Sequence, residues 1–275
     1  MRQRGSFLLF LVLGLAILGC QPARVPPAPA AETLGERAIL ALLQSREDLL
    51  KGLQGVADLK VSSPDGPYRG KEILSMELPN RFRVESVNFM GFSDLVLCSD
   101  GGELDLYLPS EGKIIRARLM AEGLAEISGV KIPLPQMLRI FMGLPPFPVD
   151  DKIASFVYLG KSREPLLERK GTGCLQQRLW IDERAGTVRE GEILDGGELW
   201  FSYRFADYRE VTGFLIPFSL EIRMPEAGAE IFLSYRDIKL NPFIEEETFH
   251  LILPSLEGLT IIDVESRERS EDLPG

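Results

Sequence analysis

Histidine is almost missing: His250 is the single one among 275 residues. That removes most histidine-based acid–base catalysis and most histidine-ligated metal sites. Cysteine is scarce as well, with Cys20, Cys98 and Cys174 the full complement, and no metal-ligand spacing joins them. Positive charge is in deficit, 31 Lys and Arg standing against 41 Asp and Glu for a formal net charge of −10. Such a balance offers no broad cationic surface to a nucleic acid. What remains is ordinary globular composition, 45% hydrophobic and 26% charged, in a chain long enough to bury a sizeable core. The composition disfavours an enzyme, and no cofactor or metal is expected.

The amino terminus carries its own signal. Arg2 and Arg4 precede an apolar run from Phe7 to Leu18, too short to span a bilayer and suited to the core of a signal peptide. The run ends Ile17-Leu18-Gly19-Cys20, which resembles a bacterial lipobox. The resemblance implies a signal peptide over 1–19 and a lipid on the Cys20 sulfur. Gln21, in place of an aspartate after the cysteine, favours the outer membrane over inner-membrane retention. Pro22, Pro26, Pro27 and Pro29 among alanines make an extended tether over 20–33. In an oxidising compartment Cys98 and Cys174 are either bridged or remain two free thiols.

The body reads as a helix followed by strands. Ile39, Leu42, Leu43, Leu49, Leu50 and Leu53 fall near helical spacing and predict a helix over Leu34–Leu53. After Gly55 the apolar period becomes two, in Leu59 and Val61, Leu74 and Met76, Phe82 and Val84, then Leu104 and Leu106. Half-buried antiparallel strands with one wet face have this pattern. The rhythm breaks between Ala121 and Pro148, where five prolines bracket the apolar segment Gln136–Gly143, a loop carrying a short helix. Strands then resume as far as Leu240, and a charged tail, 265–275, follows the body at 34–264. About eleven or twelve strands in series predict one curled antiparallel sheet, an incompletely closed barrel with a helical lid. Periodicity leaves open whether that lid plugs the inner face as core or covers a cavity. Asp100-Gly101-Gly102-Glu103-Leu104 recurs as Asp195-Gly196-Gly197-Glu198-Leu199, which predicts two hairpin turns. Ser110 and Lys113 match Ser-x-x-Lys but lie in a polar loop, not at the start of a buried helix.

Three segments, Asn88-Phe89-Met90-Gly91-Phe92-Ser93-Asp94-Leu95, Ile132-Pro133-Leu134-Pro135 and Met142-Gly143-Leu144-Pro145, look like LolB, the outer-membrane lipoprotein receptor family. Leu179-Trp180-Ile181-Asp182, Gly213-Phe214-Leu215-Ile216-Pro217 and Asn241-Pro242-Phe243 resemble the related carrier LolA. The resemblance implies a half-barrel with a helical lid over a hydrophobic cavity. In LolB a leucine on the protruding turn is tied to putting a delivered lipoprotein into the membrane, and Met90 stands at the matching position. The departures are Phe89 for the family's proline and Met90 for its leucine. With Phe92 they make an apolar tip, which either inserts into lipid or folds back onto the barrel as core.

On this reading the protein is an outer-membrane, periplasm-facing monomer, held by its lipid anchor. It binds acyl chains of other lipoproteins, received from a LolA-like carrier, and helps insert them. The cavity lining would combine Leu59, Val61, Leu74, Met76, Phe82 and Val84 of the strands with Met137, Leu138 and Phe141 of the lid. The competing reading is a lipid-binding or envelope-sensing lipoprotein of the same fold without transfer.

Overall fold

The computed structural model describes residues 34–64, 66–118, 132–149, 154–159, 164–170, 174–253 and 258–264. The signal peptide, Cys20, the tether and the tail expected from the sequence lie outside them.

Helix α1 runs Glu36–Leu49 and turns Ile39 and Leu43 into the core. It is shorter than the apolar spacing predicts, because Gly52 already opens strand β1 (Gly52–Ser63). Leu53 suits either period, and pairing on both edges of β1 decides in favour of the strand. Strands β2 (Gly66–Glu77), β3 (Arg81–Val87), β4 (Ser93–Ser99), β5 (Glu103–Leu108) and β6 (Lys113–Arg118) follow as a meander. Helix α2 (Leu134–Phe141) interrupts it. The meander resumes with β7 (Ala154–Leu159), β8 (Glu164–Lys170), β9 (Leu175–Asp182), β10 (Thr187–Asp195), β11 (Glu198–Val211), β12 (Phe214–Met224) and β13 (Ala229–Leu240), before a last strand, β14 (Thr260–Val264).

All fourteen strands among the described residues join one sheet, in the order β14-β6-β5-β4-β3-β2-β1-β13-β12-β11-β10-β9-β8-β7. The two meanders meet where β1 pairs with β13, from Leu53 opposite Leu240 to Ser62 opposite Glu230. Neighbours are antiparallel except β14, which lies parallel to β6. The sheet has two edges, β14 and β7, and is the incompletely closed barrel expected. The strand count exceeds the expected eleven or twelve because short, charged strands such as β6 and β14 alternate too weakly to be read from sequence.

Strand register gives each face its residues. Leu53, Ala57, Leu59 and Val61 of β1 oppose Met76, Glu72, Gly70 and Tyr68 of β2, and Phe82, Val84 and Ser86 of β3 continue the row. This inner face shares one hydrophobic cluster with Ile39 and Leu43 of α1 and with Leu134, Met137, Leu138 and Ile140 of α2.

The outer face is not wholly wet. Val96, Cys98 and Ile114 point outward and are buried. The segment after β13 crosses outside the sheet to reach β6. Arg83 donates to the carbonyls of Thr248 and His250, and the Arg81 guanidinium lies 4.7 Å from the centre of the buried Phe249 ring. Asn241 secures the start of this strap, its Oδ1 accepting from the N–H groups of Lys51 and Gly52 and its Nδ2 donating to the Leu49 carbonyl.

Candidate functional site: an apolar turn above the inner face

The turn between β3 and β4 exposes three large apolar side chains within four residues. Phe89 is 96% exposed, Met90 62% and Phe92 66%. They do not fold back onto the sheet. The backbone beneath them is held by Asn88, whose Oδ1 accepts from the N–H groups of Met90 at 3.0 Å and Phe92 at 3.1 Å. Asn88 N–H donates to the Phe92 carbonyl, and Gly91 N–H to the Asn88 carbonyl. Gly91 sits at φ +84, where a side chain would be strained. Asn88 Nδ2 donates to Asp94 Oδ1, so the neck below the apolar tip is polar. A tip of this form can enter acyl chains at a gain of about 1.5–3 kcal/mol for each large side chain buried.

Below the turn, the residues expected to line a cavity divide into two groups. Leu74, Met76, Phe82, Met137 and Leu138 are core, none more than 5% exposed. Leu59, Val61, Val84 and Phe141 are half-buried and pack at the margin of that core. The structure brings the strand members together on the inner face of β1–β3, with Leu97 of β4 half-buried opposite Val84.

Helix α2 is tied down over the other half of the sheet. Tyr235 donates to the Phe141 carbonyl at 2.9 Å. The buried Gln177 amide both accepts from Phe147 N–H and donates to Phe147 O. Arg139 of α2 pairs with Glu47 of α1 and donates to the Pro145 carbonyl. The helix stops at Gly143, whose φ of +77 lets Leu144 N–H return to the Arg139 carbonyl.

One polar cluster interrupts the apolar inner face. Glu72 is buried opposite Ser86. Tyr68 donates to Glu72 Oε1 at 2.7 Å and lies 2.6 Å from Ser86 Oγ. Burial raises the Glu72 carboxyl above the usual carboxylate range, against the hydrogen bonds from Tyr68 and Ser86 that lower it. The Tyr68 phenol is pushed up to about 12, chiefly by burial.

No protein-family model matches the chain, and no curated protein matches it in sequence. Solved structures do match. A domain from Vibrio parahaemolyticus, named for outer-membrane lipoprotein sorting, aligns with a TM-score of 0.51 at 14% identity, over 76% of this chain and 95% of that one. A DUF1329 family protein from Desulfovibrio piger aligns at 0.50 and 12% identity, over 79% and 98%. The chain shares its fold with these two structures. A LolA superfamily protein from Nitrosomonas europaea matches at 0.48 and 15% identity, over 80% and 99%.

Among the described residues the two cysteines, Cys98 and Cys174, are both free. Burial pushes the outward-facing Cys98 thiol up to about 11, which suits a packing residue rather than a nucleophile. Cys174 is exposed. Lys113 donates to Glu111 in an exposed turn. Both Asp-Gly-Gly-Glu repeats form hairpin turns of the fold, between β4 and β5 and between β10 and β11. Sequence reasoning missed the Tyr68–Glu72–Ser86 cluster. Its signal was an acid in register with Leu74 and Met76, with Gly70 between it and a tyrosine.

Proposed function

We propose that the protein is a lipid-anchored, periplasm-facing lipoprotein of the outer membrane that binds acyl chains of other lipoproteins and helps insert them. Residues 1–19 are removed as a signal peptide, Cys20 carries the lipid, and 20–33 is the tether. At about 3.1 Å per residue an extended proline-rich tether of that length reaches roughly 40 Å, enough for the body at 34–264 to turn its apolar tip toward the bilayer. Residues 265–275 trail from it. A LolA-like carrier would deliver the cargo.

The observation that carries this reading is the exposure of Phe89, Met90 and Phe92 on a turn whose backbone is already fixed. Water gains nothing from such a tip, whereas lipid does. The half-buried Leu59, Val61, Val84 and Phe141 are the surface against which a chain would first lie, with Leu74, Met76, Phe82, Met137 and Leu138 reached as the core loosens. Acyl burial is worth about 0.8 kcal/mol per methylene, so a modest opening is repaid by a long chain.

The deciding experiment replaces Phe89, Met90 and Phe92 by serine and measures both incorporation of a lipoprotein into outer-membrane vesicles and binding of the cargo. Incorporation is expected to fall about tenfold or more with binding retained. Unchanged incorporation would remove the insertion role and leave a lipid-binding or sensing protein.

A further inference from the structure

The Tyr68–Glu72–Ser86 cluster is an odd occupant of an acyl-binding face. A carboxylate taken from water without a cation is costly, and an apolar residue there would pack at no such cost. Among the described residues Glu72 has hydroxyl partners and no cationic one. Its setting is constructed. Gly70 carries no side chain, and a Cβ there would stand 2.3 Å from both the Tyr68 hydroxyl and Glu72 Oε1. The Tyr68 hydroxyl therefore occupies ground that Gly70 leaves free. Were the ring to rotate outward, a bare patch would open between Leu59, which is opposite Gly70, and Glu72.

The place matters as much as the chemistry. Glu72 is opposite Ser86, and Lys71 is opposite Val87, so the cluster stands two residues below Asn88, where the exposed turn begins. A chain lying on the inner face with its head toward the turn would set that head beside Glu72.

From this we infer that Glu72, with Ser86 and Tyr68, is the head-group anchor of the acyl-binding face. It accepts a hydrogen bond from the head of the ligand, in place of the one from Tyr68. The face thus selects amphiphiles whose head donates, such as an amide-linked acyl group, over those ending in a free carboxylate. The inference rests on the acyl-binding reading above and adds the class of head to it.

The test uses the chain with Cys20→Ser and the neutral reporter N-phenyl-1-naphthylamine, displaced in turn by dodecanamide, methyl dodecanoate and dodecanoate at neutral pH. Dodecanamide is expected to displace at about tenfold lower concentration than either other compound. In Glu72→Gln, folded by circular dichroism, that preference falls below threefold. In Tyr68→Phe, where no phenol hydroxyl competes, it is at least as large as in the original chain. A merely structural role for Glu72 would shift the melting temperature and leave the preference alone. Equal displacement by the three compounds overturns the head-group inference while acyl binding stands. Retention of the preference in Glu72→Gln, or its loss in Tyr68→Phe, overturns it as well. If the reporter does not bind at all, the acyl-binding reading itself falls and takes this inference with it.

Discussion

Glu72 is where single-residue physics and tertiary setting disagree most. The residue is buried with two hydroxyls for company, and burial is the main cause of its raised pKa. A carboxyl whose folded pKa is raised binds its proton more tightly in the folded state. Its contribution to stability is therefore full below the ordinary carboxylate value of about 4.3 and lost as pH rises through the raised one. Glu72→Gln removes that dependence while keeping an acceptor for Tyr68. Paired denaturant melts should show the variant more stable by on the order of 1 kcal/mol at pH 7.5, with the advantage shrinking toward pH 4.5. An advantage that stays constant with pH would mean that Glu72 is already solvated. From sequence the alternation of Leu74 and Met76 was legible, but the acid at the same parity was not, because parity alone cannot say how far the covering layer extends along a strand.

At the scale of elements, α2 is held as firmly as a strand. Tyr235, Gln177 and the Arg139–Glu47 pair hold its end, the loop after it and its flank. Gly143 closes it in a left-handed conformation, and an added Cβ would come within 2.5 Å of the Pro217 ring. Gly143→Ala should cost about 2 kcal/mol or more, from the strained φ and the forced contact together, read as a fall in the urea midpoint with an unchanged slope. Met142-Gly143-Leu144-Pro145 announced this stop, and the prolines announced the bracket. The sequence also placed the β3–β4 turn correctly. Its outward or inward attitude depended on Asn88 gathering the N–H groups of Met90 and Phe92, an arrangement that residue types permit without requiring.

For the whole molecule, the described strap residues after Asn241 lie against the outer face of β3, and the outer side of this part of the sheet carries a second, smaller group of buried residues. Cys98, Val96, Ile114 and Phe249 are buried there, outside the main hydrophobic cluster. With a thiol reagent Cys174 should react at once and Cys98 only slowly. Phe249→Ala, which loosens the strap, should speed Cys98 by tenfold or more, whereas equal rates for both thiols in the unaltered chain would contradict the burial. What the sequence determined by itself was everything local: the two periods, the glycine and proline punctuation, the lipobox-like start and the apolar tip. Alternation with period two commits each strand to a face wherever its neighbours come from. The tertiary structure alone decided the long-range matters. These were the pairing of β1 with β13, the crossing of the strap to a parallel edge, the division of the expected lining into core and margin, and the seat of Glu72 below the turn. Each depends on residues far apart in the chain finding one register, and a pattern read along one strand carries no record of its partner.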